Sequence, residues 1–476
     1  MHYFIAEEAL TKRAAKFDCL KTIDVLGLES FDFSIFHLLA LILFIIAIIH
    51  TFSTNAIRRF ARKIELKTPK NEQTSVRRAI RIQFLYFFAE VEIVFALWAI
   101  PLFLIIAVMH GWNTALEYLN TRDFTEPLFV VVIMALTSTR PIVHLAEIVL
   151  RSIAKCLGNS LSAWWYTLLT LGPLLGSFIT ETGAMALCAL LLSRQFYAFK
   201  PSGKLCYATI GLLFVNISVG GVLTDFASPA VLVLAHCWEW NTAFMLFNFG
   251  WKAVLGIFFS NALYWLFFRK ELSELGQRRA VMSNVQTPNP EDSDTPIPLW
   301  ITAIHVLVIV WIVFISHFPA VFIGSFLFFL GFHQATRHHQ YPIRLSRPLL
   351  VGLFLAGLVI HGGLQGWWVV HLLRSLTPLG VLGVSILLTG FTDNTGISYL
   401  ATLVPYWGDA YKYAVFTGVV AGGGLTVIAN APNPAGYVLL GKHFPDGISP
   451  LKLFYAAALP TFILYLIYFI TGPFFS

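Results

Sequence analysis

Three carboxylates stand inside apolar stretches with small hydroxyl and amide residues beside them. They are Glu181 in Thr180-Glu181-Thr182-Gly183, Asp393 in Thr392-Asp393-Asn394-Thr395-Gly396, and Asp225 in Gly220-Gly221-Val222-Leu223-Thr224-Asp225-Phe226-Ala227-Ser228-Pro229. An ionised carboxylate in hydrocarbon is costly, and one that is retained faces a cavity or a partner and marks an ion or proton pathway. Hard oxygens suit small cations. Thr180, Thr182, Thr224, Ser228, Asn394, Thr395, Thr426 and Asn430 can complete a shell together with backbone carbonyls freed at helix breaks. Desolvation raises a carboxyl pKa and a bound cation lowers it, so such a group can trade a proton for Na⁺. The expectation is that Asp393 and Asp225 bind Na⁺ or a proton alternately, with Glu181 tuning them or carrying a second proton. The alternative is an anion held by half-helix N-termini, each worth about half a positive charge. Three nearby carboxylates would repel it.

The elements that must carry these groups are set by composition. Of 476 residues, 57% are hydrophobic and 12% charged, about half the charged fraction of a soluble globular protein. Mean hydropathy is +0.73, and apolar runs of about 20 residues alternate with short basic loops, as in a polytopic α-helical membrane protein. A water-soluble enzyme, intrinsic disorder and a disulfide-rich secreted fold are excluded. The five cysteines (Cys19, Cys156, Cys188, Cys206, Cys237) form no C-x-x-C pair and read as packing residues. No nucleophile–base pair, H-E-x-x-H cluster or Walker A loop is present, so neither an enzyme nor an ATP-driven pump is indicated.

After an N-terminal segment, residues 1–32, ten crossings are expected near 33–52, 82–109, 127–150, 204–236, 242–268, 298–316, 319–334, 348–373, 412–441 and 452–473. The loop after the first holds Arg58, Arg59, Arg62, Lys63, Lys67, Lys70, Arg77, Arg78 and Arg81 against Glu65 and Glu72, which makes it cytoplasmic. The net charge of +7 therefore reports topology in a plasma (inner) membrane rather than nucleic-acid binding. The polar stretch 269–297 reads as a cytoplasmic linker between two halves, 33–268 and 298–476.

Two apolar stretches break the span rule. Ala163 to Ser193 is 31 residues and Pro378 to Trp407 is 30, too short for two crossings and long for one. Each has a polar centre, so the reading is a pair of re-entrant hairpins, 163–193 and 378–407, whose tips reach the membrane midplane. Each is followed by a span interrupted by glycine and proline: 204–236 at Gly220-Gly221, and 412–441 at Gly422-Gly423-Gly424-Leu425-Thr426-Val427-Ile428-Ala429-Asn430-Ala431-Pro432-Asn433-Pro434. The pattern G-G-x-L-T-x-x-A-[SN] recurs at a spacing of 202 residues and Thr-Gly of the tips at 213. With the loop charges, the first hairpin enters from the cytoplasm and the second from outside. The fold class is thus all-α and polytopic, two inverted-topology repeats each of about five transmembrane helices, one re-entrant hairpin and one discontinuous helix.

At these residues the sequence resembles the ion-transporter superfamily of arsenite pumps, NhaD-type sodium–proton antiporters and dicarboxylate transporters. Residues 422–434 and Asp393-Asn394-Thr395 look most like its Na⁺/H⁺ antiporter branch. The resemblance implies a scaffold gripping a transport domain that moves with its substrate, often as a dimer. The dicarboxylate branch carries Ser-Asn-Thr at both tips, where this chain has Thr180-Glu181-Thr182 and Asp393-Asn394-Thr395. Beyond the bilayer, the implied partners are a monovalent cation and a proton, with no cofactor.

Outside the central set, Glu90 and Glu92 are expected to pair with basic groups, the alternative being that they line a proton entry path. Thr139-Arg140-Pro141 should break the third span and start an amphipathic arm in which Arg140, His144, Glu147 and Arg151 pair internally. Lys252 is expected to pair with a site carboxylate, or to stand in for a bound cation in the empty state. His333, His338 and His339 read as solvated loop residues.

Overall fold

The computed structural model describes residues 35–66, 76–283 and 296–474, apart from Tyr406 and Asp446. The expected N-terminal segment, Cys19, Lys67, Lys70, Glu72 and the polar centre of the linker lie outside them. Among the described residues every long element is helical and there is no strand. In chain order the α-helices are α1 Ile35–Leu66, α2 Val76–Phe88, α3 Val94–His110, α4 Trp112–Asn120, α5 Thr125–Thr137, α6 Arg140–Cys156, α7 Leu161–Gln195, α8 Gly203–Gly220, α9 Pro229–Cys237, α10 Thr242–Met245, α11 Trp251–Ser283, α12 Leu299–Phe314, α13 Pro319–Ala335, α14 Ser346–Gly362, α15 Gly366–Arg374, α16 Pro378–Phe391, α17 Asn394–Thr402, α18 Asp409–Gly422, α19 Asn433–Gly441 and α20 Pro450–Ile470. Helix starts follow local chemistry. Ser160, Ser202 and Thr377 accept the N–H groups of Ala163, Leu205 and Gly380, caps worth about 1 kcal/mol each. Proline opens α9, α13, α16 and α20, where its missing N–H has no partner to lose.

Six of these segments are long and apolar enough to cross a membrane: Ile35–Thr54, Val91–His110, Leu161–Phe199, Gly203–Leu223, Thr242–Ala280 and Pro450–Ile470. Counting the bent pairs α5 with α6 (64°) and α14 with α15 (87°) gives up to eight. The chain is therefore an integral, multi-pass membrane protein. Ten crossings were expected; α12 and α13 are apolar but only 16 and 17 residues long, and residues 412–441 are divided between α18 and α19.

The helices form two compact units. The first takes residues up to Pro127 with Leu349–Leu373 and Leu403–Pro405. Its core joins Phe36, Ala40 and Leu43 of α1 to Leu102, Ile106, Ala115, Tyr118 and Leu364. The Tyr118 hydroxyl donates to the Ile360 carbonyl at 2.5 Å, and Gly357 lies so close to the Phe95-Ala96 backbone that no side chain fits. Arg58 pairs with Glu90 at 3.2 Å and donates to the Ala89 carbonyl. The expected span 82–109 is thus two helices, with Glu90 paired at the break between them.

The second unit takes Leu128–Pro348, Arg374–Thr402 and the chain from Trp407. Here α8 is buried from Leu205 to Gly220 apart from the half-buried Tyr207, and it divides the core. On one side it meets Trp165, Leu168, Met185, Cys188 and Phe196; on the other, Val215 and Val219 join Phe249, Phe416, Val420 and Leu464. Asn216 of α8 and Asn261 of α11 bond to each other and both donate to the Leu169 carbonyl, which ties α8, α11 and α7 together through buried amides. The break before Arg140 is present, and Glu147 pairs with Arg151 one turn on. Because α11 runs on past Arg269, the expected linker stretch is helical as far as Ser283. One expectation needs correction. His333 is no solvated loop residue: it is buried in α13 against Phe329, its Nε2 at 3.0 Å from the Tyr341 carbonyl.

Candidate ion site at two helix breaks

The first break lies within α7, where Ile179 (φ −111°, ψ 17°) and Thr180 (φ 62°, ψ 154°) leave helical geometry. The Thr180 conformation is one that glycine normally occupies, and a β-branched residue there costs on the order of 1–3 kcal/mol. The surroundings hold it: Glu181 N–H donates to the Ala227 carbonyl (3.4 Å) and the Thr224 hydroxyl to the Ser177 carbonyl (2.8 Å). Ser177 Oγ in turn donates to the Gly220 carbonyl and accepts from Leu223 N–H. Residues 221–228 between α8 and α9 are thereby tied to the α7 break.

The second break separates α16 from α17 at Thr392-Asp393. Asn394 N–H donates to the Ala429 carbonyl (3.0 Å) and the Thr426 hydroxyl to the Gly390 carbonyl (2.8 Å). These are the bonds of the first break over again. Positions 177 and 181 correspond to 390 and 394 at an offset of 213, and 224 and 227 to 426 and 429 at 202. The glycines correspond too. A Cβ on Gly220 would strike the Pro173 carbonyl and one on Gly422 the Ile386 carbonyl; one on Gly221 would lie 2.6 Å from Glu181 Oε1, and one on Gly423 would strike Ser218 Oγ and crowd Asn394 Nδ2 (3.1 Å). Glycine is required here by close approach, which is why it recurs in the pattern. The second arms pack crosswise, α9 on α17 and α19 on α7.

Glu181 is 1% exposed, and its Oε2 accepts from Asn430 Nδ2 at 2.9 Å. Ser228 is a second polar neighbour of the carboxyl group, and Asp393 is near enough to act on its charge. The other oxygen, Oε1, is buried without a donor, as are Asn430 Oδ1 and Asn433 Oδ1. Asn433 Nδ2 holds the non-helical stretch between α18 and α19 by donating to the Gly423 and Thr426 carbonyls, both at 2.8 Å. Buried acceptors are almost always satisfied. Glu181 and Asn430 meet directly and Asn433 follows three residues on, so a carboxylate oxygen and two amide oxygens of the kind that suit a small hard cation are left undonated at this break. Across the site Asn394 and Thr395 are buried and joined by a 3.4 Å hydrogen bond, and the hydroxyls of Thr389 and Ser398 lack partners. Asp393 Oδ1 accepts the Thr395 N–H at 2.8 Å, an N-cap arrangement. Thr182 is half-buried, and among the described residues its hydroxyl makes no hydrogen bond.

The remaining expected residues sit apart from this group. Asp225 is half-buried, accepts from the Thr242 hydroxyl and lies near enough to the His317 imidazole for its charge to act on that ring. Lys252 corrects the expectation of a carboxylate partner. It is buried, and its Nζ donates to Tyr413 Oη and the Thr471 carbonyl (both 3.1 Å) over the Tyr413 ring. It caps the C-terminal end of α20, where a cation is favoured. Ser177, Ser218 and Asn433 were absent from the expected ligand set. The only sign of Ser177 in the sequence is a lone hydroxyl four residues before Glu181 in an apolar run.

Apolar spans, two helix breaks tied by buried hydrogen bonds, and undonated acceptor oxygens beside one of them define an integral membrane protein with a buried polar centre. The chain matches the family described as Putative Na+/H+ antiporter over residues 35–471 and belongs to it. That family points to cation–proton exchange. No curated protein matches the chain.

Proposed function

We propose that this protein exchanges Na⁺, or another monovalent cation, for H⁺ at the site between the two breaks, with Glu181 as the group that binds either. The observation that carries the reading is the buried Glu181 carboxylate with Oε1 undonated, beside the undonated oxygens of Asn430 and Asn433. Protonated, Glu181 supplies its own hydrogen; ionised, it lends charge to a cation whose shell the amide oxygens extend. Asp393 and Asp225 then modulate the site, Asp393 from the N-terminus of α17 and Asp225 from beside Thr242. The anion reading is less well supported, because Asp393 already occupies that N-terminus.

The matching hydrogen bonds at offsets of 213 and 202 support two structural repeats, and the positive-inside charge pattern supports their opposite insertion, with the breaks at re-entrant hairpin tips and discontinuous helices. Every candidate ligand belongs to one of the two compact units. That is the arrangement an elevator mechanism needs, in which a transport domain carries the ion past a scaffold; the same reading makes the protein a dimer of the plasma membrane. Everted vesicles containing a pH-sensitive dye test the activity. Addition of NaCl or LiCl should dequench the dye, whereas a response to dicarboxylates alone refutes cation exchange.

A further inference from the structure

A crevice of about 410 Å³ opens on the surface of the second unit, lined by Lys204, Tyr207, Tyr264, Phe267, Phe268 and Leu459 among others. Its walls are fixed. The Tyr207 hydroxyl accepts the Ser449 N–H at 2.9 Å and the Tyr264 hydroxyl donates to the Ala456 carbonyl at 3.2 Å, so both rings are held by the start of α20. Its rim is apolar and open: Phe267 is 70% exposed and Tyr455, on the next turn of α20, 67%. Exposed aromatic surface of this kind on a spanning helix faces lipid.

The mouth is cationic. Lys204 lines it, and Lys452 Nζ lies 5.7 Å from the centre of the Tyr207 ring. Among the described residues neither ammonium group has a carboxylate partner. Arg269 and Lys270 follow Phe268 directly in the chain. The opposing acid, Glu271, is engaged with Ser202, whose N–H and hydroxyl it accepts at 2.7 and 3.0 Å. These cations belong to loops that the charge pattern assigns to the cytoplasm, where the leaflet is anionic. Acyl-sized apolar walls beneath two unpaired ammonium groups match a lipid with a negatively charged headgroup. We infer that this crevice is a binding site for an anionic glycerophospholipid, its phosphate at Lys204 and Lys452 and an acyl chain against Tyr207, Tyr264 and Phe268.

The full-length protein in detergent is incubated with equimolar phosphatidylglycerol and phosphatidylcholine of identical chains, and retained lipid is read by native mass spectrometry. A lysine beside an anionic headgroup is worth about fivefold in affinity, so two give a preference for phosphatidylglycerol of roughly 25-fold. Lys204→Gln with Lys452→Gln should remove it, and each single variant should retain an intermediate preference. Melting temperature in phosphatidylcholine alone reports the fold of each variant. Glycerol 3-phosphate, which has the headgroup and no chains, should leave the melting temperature unchanged. A wild type without preference, a preference that survives in the double variant, an equal response to glycerol 3-phosphate, or a two-chain species that excludes both lipids would each overturn the assignment.

Discussion

Glu181→Gln separates the charge of the site from its shape. The amide is isosteric with the carboxylate, and its oxygen can still accept from Asn430 Nδ2, so the 2.9 Å bond that positions the side chain survives. At the Oε1 position an acceptor without a donor becomes an NH₂ group, which repels a cation. A unit charge pair at 4 Å in an environment of effective dielectric near 20 is worth about 4 kcal/mol, or roughly a thousandfold in cation affinity. Part is returned because a neutral amide costs less to bury than a carboxylate, leaving a loss of at least about a hundredfold. Proteoliposomes with an internal pH dye give the half-maximal Na⁺ concentration for proton release. It should rise by that factor or pass out of range, with a melting temperature equal to or above wild type. A half-maximal concentration within about threefold of wild type would remove Glu181 from the site.

Gly221→Ala places a methyl group 2.6 Å from Glu181 Oε1, so exchange should fall at least tenfold; Gly276→Ala, which meets no atom within 4 Å, should leave exchange intact and stabilise by about 0.5–1 kcal/mol. Both are read in the same dye assay and by thermal melting. Lys252→Met should lower the melting temperature by several degrees, through the lost bonds to Tyr413 and Thr471, yet retain exchange; abolished exchange in a folded variant would restore a direct role in ion binding. Na⁺ at a hundred times its dissociation constant should stabilise wild type by about 2.7 kcal/mol relative to choline, and should not stabilise Glu181→Gln. Equal Na⁺ stabilisation in the two proteins would place the cation elsewhere.

Much of the site was legible because breaking a helix inside a membrane takes unusual residues. Glycine pairs, proline and clustered Thr, Asn and Asp at 180–183, 220–229, 392–396 and 422–434 cannot be hidden in an apolar run, and the repeat of their spacing paired each break with its counterpart. Partner choice was less legible. Asp225 and Thr242 meet across 17 residues, and Lys252 reaches Tyr413 and Thr471 across 161 and 219. Nothing in residue type or periodicity says which helix ends are neighbours. Span limits failed for a related reason. Hydropathy averages over a break, so residues 82–109 read as one segment although the chain stops its helix at Ala89-Glu90. Ser177 escaped because a hydroxyl in an apolar helix more often bonds within its own helix.

The contact between Glu181 and Asn430 spans 249 residues. At ribosomal rates of about 5–20 residues per second, those residues take on the order of 10–50 s to synthesise. For that interval the nascent chain presents a carboxyl group that the finished fold buries to the translocon and bilayer before its amide partner has been made. Biogenesis therefore passes through a stage in which water, a proton or a chaperoning insertase must shelter position 181.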